Sequence, residues 1–275
     1  MSVLNIRSYV DLMKLRVVEL LIITTIPAMV LAAHGFPSLK LVAATLIGGT
    51  LAAGSANAFN MVIEAKTDKL MARTSNRPLV TGSIGKNQAL IFATIIGVFS
   101  LVIFQYYTTP LATLLNALAI FYYVVIYTII LKPNTAQNIV WGGAAGCMPV
   151  LIGWAAVTGT LSWVPIAFFM VVFFWTPPHF WALAIKYRAD YSAAGIPMLP
   201  SVSSQSSVIS QMWFHTIAMV ISSTVLLGAI FTFQLFALKE NSENYDKVAT
   251  GIFHWSITYL SLFSVLLVIA QLLSA

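Results

Sequence analysis

Pro133 to Ile185 reads PNTAQNIVWGGAAGCMPVLIGWAAVTGTLSWVPIAFFMVVFFWTPPHFWALAI, 53 residues without one Asp, Glu, Lys or Arg. A helix of about 20 apolar residues crosses the hydrocarbon of a bilayer, so this run holds two crossings. Thr158-Gly159-Thr160 supplies the turn between them. The pattern repeats upstream, with 23 charge-free residues between Lys40 and Glu64 and 45 between Lys86 and Lys132, the latter divided at Thr108-Thr109-Pro110. The runs are continuously apolar and do not alternate, which excludes a β-barrel. The spacing predicts helices near 17–34, 40–64, 88–107, 111–131, 138–157, 163–185, 210–236 and 250–273. The fold class is all-α, a polytopic transmembrane bundle of about eight (eight to nine) helices, filling residues 1–275 as a single domain.

Composition agrees, since 59% of the 275 residues are hydrophobic and only 8% charged, against about 25% charged in soluble proteins. With the N-terminus inside, Arg7, Lys14, Arg16, Lys66, Lys69, Arg73, Arg77, Lys86, Lys132, Lys186 and Arg188 face the cytoplasm, and only Lys40, Lys239 and Lys247 lie outside. The expected location is the cell membrane, with the charged loops cytoplasmic. The net charge of +6 follows from this topology and from membrane lipid, so nucleic acid is not a partner. No short apolar run precedes a small-residue cleavage site, so the first helix reads as a retained anchor. Cys147, alone, forms no intrachain disulfide and reads as packing.

Three marks recur at a spacing of 122 residues: Pro27 with Pro149, Asp68 with Asp190, and Pro78 with Pro200. The simplest account is two pseudo-repeated four-helix halves, about 10–131 and 132–275, each with a charged loop after its second helix. Both loops then fall on the cytoplasmic face, beside a cavity between the halves.

The first loop, Asn60 to Pro78, places Asn60, Glu64 and Asp68 at i, i+4 and i+8, stacking three oxygen-bearing side chains along about 12 Å of one helical face. Two carboxylates and an amide suit Mg²⁺, which typically bridges protein acids to substrate phosphates. Arg73 and Arg77 follow as a second i, i+4 pair, shaped to clasp phosphate oxygens. Ion pairing within a solvated loop is the plainer alternative, but an acid and an amide inside a membrane helix are costly and usually functional.

The second loop runs from Trp175 to Pro200. Pro177-Pro178 is expected to break the helix, which at membrane depth is tolerated where backbone lines a cavity or lies within protein. His179, flanked by Trp175, Phe180 and Trp181, suits a flat hydrophobic acceptor, with a hydrogen-bonded structural histidine as the rival reading. His34, His215 and His254 lack comparable neighbours and read as structural or interfacial. Asp190 can complete a metal site with Glu64 and Asp68. Lys186 and Arg188 can hold diphosphate or acceptor carboxylates, or simply anchor the cytoplasmic face.

At these loops the sequence resembles the UbiA superfamily of intramembrane prenyltransferases, and within it the branch that farnesylates haem. The resemblance rests on Asn60-x3-Glu64-x3-Asp68, on Met71-Ala72-Arg73-Thr74-Ser75-Asn76-Arg77-Pro78-Leu79, on Pro177-Pro178-His179-Phe180-Trp181-Ala182-Leu183, on Tyr191 to Pro200, and on Lys14-Leu15-Arg16-Val17. Glu64 stands where the superfamily usually has Asp, and Lys186 where many relatives have another Asp. The superfamily fold has nine helices. The resemblance implies farnesyl diphosphate as donor, haem B as acceptor and Mg²⁺ as cofactor, in haem synthesis for terminal oxidases. It assigns the metal to Glu64, Asp68 and Asp190 with Asn60 assisting, diphosphate to Arg73, Arg77 and Lys186, and haem to His179, Trp181 and Arg188. A downstream haem A synthase or a terminal oxidase assembly is the implied protein partner. An aromatic or quinone-precursor acceptor and a small-solute transporter are the alternatives; acids at the cytoplasmic helix ends count against the transporter, whose sites typically sit at mid-membrane.

Overall fold

The structure, a computed structural model, describes residues 6–15, 18–223 and 245–274. Arg16, the side chain of Glu19, Lys239 and the part of the expected seventh helix beyond 223 lie outside the described residues. Among these residues every regular element is helical: α1 (Ile6–Met13), α2 (Val18–Ala33), α3 (Leu39–Asp68), a 3-10 turn (Ala72–Thr74), α4 (Pro78–Thr81), α5 (Lys86–Tyr107), α6 (Pro110–Phe121), a π-helix (Tyr122–Leu131), α7 (Lys132–Asn134), α8 (Asn138–Gly142), α9 (Ala144–Thr158), α10 (Trp163–Lys186), α11 (Arg188–Ala193), α12 (Leu199–Val202), α13 (Gln205–Ser222) and α14 (Tyr245–Ser274).

Among the described residues six spans are long and apolar enough to cross a membrane: Leu39–Asp68, Lys86–Tyr107, Pro110–Asn134, Asn138–Thr158, Trp163–Lys186 and Tyr245–Ile269. The other two expected helices are present as α2, 16 residues, and α13, 18 residues. Turn chemistry sets the ends. Ser38 and Thr109 accept from the backbone N–H of Leu41 and Ala112, capping α3 and α6, and Gly159 closes α9 with a left-handed φ of 69°.

Small residues bring the helices together. A Cβ on Gly48 would meet Phe104 at 2.7 Å, and one on Gly153 would meet the Thr25 carbonyl oxygen at 2.8 Å, so α3 lies close on α5 and α2 close on α9. Buried hydroxyls add glue: Ser55 Oγ donates to the Ala93 carbonyl at 2.8 Å, and Asn116 donates to Ser100, whose hydroxyl donates to the Gly48 carbonyl. In the second half, Trp175, Trp181, Met212 and Tyr259 build a core where α10 packs on α13 and α14.

Three local expectations change. α3 continues past 64 to Asp68, so the whole Asn60–Glu64–Asp68 column is helical. The helix containing Pro177-Pro178 is not broken, because α10 runs through both prolines inside a packed interior, where neighbouring groups tolerate the lost ladder bonds. Gly143 lets the chain there approach Thr176, whose hydroxyl donates to the Val172 carbonyl at 2.8 Å. The span expected as plain helix over 111–131 turns from α to π at Tyr122, a rare form that recurs at functional sites.

Candidate diphosphate site

The last two turns of α3 carry Asn60, Glu64 and Asp68, all buried. Cations from three separate elements converge on them. Arg77, leading into α4, sets Nη1 2.5 Å from Asp68 Oδ2 and 3.9 Å from Glu64 Oε2. Lys132, at the end of the π-helix, sets Nζ 2.5 Å from Glu64 Oε1. Lys14, following α1, donates from Nζ to Asn60 Oδ1 at 2.8 Å. Burial, with the Arg77 guanidinium next in effect, pushes the Lys14 amine down to about 7.

The same elements are tied by neutral bonds. Asn57 Nδ2 donates to the Met13 carbonyl at 3.0 Å and Asn57 Oδ1 accepts from the Tyr123 hydroxyl at 3.3 Å. Asn60 Nδ2 donates to Thr128 Oγ1 at 3.2 Å, and that hydroxyl donates to the Tyr123 carbonyl five residues back, within the π-helix.

Two carboxylate oxygens, Glu64 Oε2 and Asp68 Oδ1, are buried without a hydrogen-bond partner. Buried anionic acceptors left open in this way are costly unless a cation meets them, so these acids fit a hard divalent ion such as Mg²⁺. Among the described residues no group of three His, Cys, Asp or Glu is placed to hold a metal. Asp190 is therefore not drawn into one cluster with Glu64 and Asp68. Its Oδ2 accepts from the Arg73 backbone N–H at 3.1 Å instead. The expected Arg73–Arg77 pair also separates, since Pro78 holds Arg77 in extended backbone (φ −65°, ψ 144°) and turns it to the acids. The Arg73 guanidinium lies over the Tyr187 and Tyr191 rings, 5.5 and 5.8 Å from their centroids, and donates to the Tyr191 hydroxyl at 3.4 Å. Burial pushes the Tyr191 phenol up, opposed by Arg73. The two loops are thus joined through Arg73.

Lys186 lies over the Tyr187 ring at 5.6 Å, and Arg188 is exposed, lining a small cavity with Pro200, Ser203 and Gln205. His179 is enclosed. Its ring is stacked between Trp175, 4.2 Å away, and Phe253, 4.5 Å away, and Nδ1 is bonded to Ser256 Oγ. Trp181 is fully buried, edge-on to His215 at 5.4 Å, and His215 Nδ1 meets the Gln211 carbonyl.

Lys132, Asn57, Tyr123 and Thr128 are site residues that the sequence reading did not single out, and Lys14 entered it only as a cytoplasmic cation and in the Lys14–Val17 run, with no role at the site. Lys132 carried a usable signal, being the one charge between Lys86 and Lys186. The others are recognisable only once α1, α3 and the π-helix are side by side.

The UbiA prenyltransferase family model matches residues 21–239. The chain is 46% identical to protoheme IX farnesyltransferase of Renibacterium salmoninarum, covering 96% of this chain and 89% of that one. It is 47% identical to protoheme IX farnesyltransferase of Frankia casuarinae, covering 97% and 98%. Among solved structures, one concerning digeranylgeranylglyceryl phosphate synthase superposes with a TM-score of 0.77 at 14% identity, over 97% of this chain and 98% of that one. A UbiA homolog from Archaeoglobus fulgidus bound to DMAPP and Mg²⁺ gives 0.70 at 16% identity, over 93% and 99%. At such low identity these two likenesses are of fold.

Proposed function

We propose, from the premise that the chain belongs to the UbiA prenyltransferase family, that this multi-pass membrane protein transfers the farnesyl group of farnesyl diphosphate to a vinyl group of haem B. The relatives of nearly equal length and close to half identity support this acceptor, and membership of the family sets the transporter alternative aside. The observation that carries the site assignment is the convergence of Arg77 and Lys132 on two buried acids that each keep one oxygen open.

The donor's allylic C–O bond breaks when charge developing on the diphosphate is neutralised. Arg77 and Lys132 bind phosphate oxygens, and Glu64 and Asp68, each with one carboxylate oxygen open, would hold the cofactor Mg²⁺. Positive charge against the departing oxygens is what Mg²⁺ supplies when bound. The farnesyl cation then takes the electron pair of the haem vinyl group, forming a C–C bond. Water adds to the resulting carbocation and loses a proton, giving a hydroxyethylfarnesyl side chain and so haem O. The apolar bundle receives the farnesyl tail and keeps water from the first cation.

Asp190 fastens the second loop to Arg73, closing both loops over the diphosphate. Lys186 and Arg188 lie on the same loop and take the haem propionates. His179 and Trp181, packed in the core, serve the acceptor side by holding α10 against α13 and α14. Residues 1–275 form one transmembrane domain of two pseudo-repeated halves; Pro78 and Pro200 stand at the first and second positions, respectively, of a four-residue helix beyond their loop, which supports the repeat. The protein sits in the cell membrane with these loops cytoplasmic.

Asp68→Ala is expected to abolish farnesyl transfer while the protein still inserts. Membranes carrying it are incubated with labelled farnesyl diphosphate, Mg²⁺ and either haem B or a phenolic acid. Near-normal haem O from Asp68→Ala overturns the site, and label on the phenolic acid from the unaltered protein overturns the acceptor.

A further inference from the structure

We propose that Lys14 is a positioning residue of the diphosphate site, acting through the Asn60 amide. The inference rests on the prenyl-transfer reading above and extends it to a residue outside both charged loops.

Lys14 has a φ of 50°, the left-handed region that a lysine rarely adopts. It closes α1, with the Lys14 backbone N–H donating to the Asp11 carbonyl at 3.3 Å, as left-handed residues commonly do after a helix. Tertiary bonds then fix this turn on α3: the Met13 carbonyl accepts from Asn57 Nδ2, and Lys14 Nζ reaches Asn60 Oδ1 one turn further along the same face.

An isolated asparagine amide can present either end to a neighbour. Here both ends are assigned. Lys14 Nζ donates to Oδ1, and Nδ2 is left to donate to Thr128 Oγ1, whose own hydroxyl donates to the Tyr123 carbonyl. Lys14 thereby fixes the orientation of the first residue in the Asn60–Glu64–Asp68 column and clamps the column to the π-helix that carries Lys132. Loss of the ammonium frees the amide to turn and loosens the first step of the column, without touching Glu64, Asp68 or their cations.

The test uses the full-length protein in nanodiscs and four variants: Lys14→Asn, Lys14→Arg, Asn60→Ala and the double variant Lys14→Asn/Asn60→Ala. Asn accepts left-handed backbone readily, so Lys14→Asn removes the ammonium while suiting the turn. The expected result is a fall in kcat of about ten- to a hundredfold for Lys14→Asn, the worth of one charge-assisted hydrogen bond, with its melting temperature close to that of the unaltered protein. Lys14→Arg restores most of the rate. The double variant is no slower than Asn60→Ala within about twofold, because a residue acting only through Asn60 adds nothing once the amide is gone. A wild-type rate for Lys14→Asn, or losses that multiply in the double variant, overturns the proposal. Binding of inorganic diphosphate with Mg²⁺ is measured on the same proteins and is expected to show the same non-additivity. If haem B proves not to be the acceptor, that measurement still decides the role of Lys14, so the two readings fail separately.

Discussion

Glu64 Oε1 meets the Lys132 ammonium at 2.5 Å, while Oε2 has no hydrogen-bond donor and Arg77 Nη1 stands 3.9 Å off. The carboxylate is buried, so most of what compensates its charge in the absence of ligand is this one lysine. Breaking a buried ion pair from one side is much more damaging than removing both partners, because the charge left behind is unpaired in a poor solvent. Lys132→Met is therefore expected to destabilise the protein by roughly 3 kcal/mol. Adding Glu64→Gln to it recovers most of that loss, though not activity. Unfolding in detergent, with transfer assays alongside, checks both parts, and a double variant no more stable than Lys132→Met would contradict the account. The helical column of Asn60, Glu64 and Asp68 was legible because three polar residues at four-residue spacing stand out in an apolar run. Their cations were less so. Arg77 is local, nine residues from Asp68, but Lys132 and Lys14 come from 68 and 46 residues away, and in sequence both look like ordinary cytoplasmic anchors.

At the scale of helices, α2 lies close on α9. A Cβ on Gly153 would lie 2.8 Å from the Thr25 carbonyl oxygen and 3.1 Å from its Cγ2, and a helix backbone cannot give way as a side-chain end can. Gly153→Ala is expected to cost about 2 kcal/mol as overpacking. Gly146→Ala, in the same helix with open space around the added carbon, is expected to be neutral or slightly stabilising, since alanine is the better helix former. Thermal unfolding of the two variants side by side tests the contact, and equal midpoints would refute it. Helix ends were readable because Pro, Gly and charge mark them. The π-helix was not, since in YYVVIYTIIL its inward polar side chains, Tyr123 and Thr128, stand five residues apart in an otherwise mostly apolar run, too few to read a pitch from. The continuous α10 escaped for a related reason: proline pairs break helices in water, whereas inside a membrane bundle the neighbours decide.

Over the whole molecule, among the described residues, Lys14, Lys66, Lys69, Arg73, Arg77, Lys132, Lys186 and Arg188 fall at helix ends around the two loops and Lys40 at the opposite end of α3, while Lys247, expected outside, stands at the start of α14, whose Tyr245 lines a cavity with Arg188 and Pro200 on the loop side. Lys14, Arg77 and Lys132, which the positive-inside rule counts toward the orientation, also meet the acids and the Asn60 amide beside them. On the proposed orientation both loops open to the cytoplasm, the side from which a soluble diphosphate would enter. Labelling tests this directly, because Cys147 is fully buried and bonded to the Gly143 carbonyl, making it a quiet background. Ser75, in the first loop, and Thr160, in the turn between α9 and α10, are both exposed and belong to opposite faces. In intact cells a membrane-impermeant maleimide is expected to modify Thr160→Cys and spare Ser75→Cys, and in inverted vesicles the order reverses. Saturating farnesyl diphosphate with Mg²⁺ is expected to slow labelling of Ser75→Cys and leave Thr160→Cys unaffected, because only the first lies beside the residues that take the diphosphate. Modification of Ser75→Cys from outside intact cells would invert the orientation and with it the cytoplasmic entry of the donor.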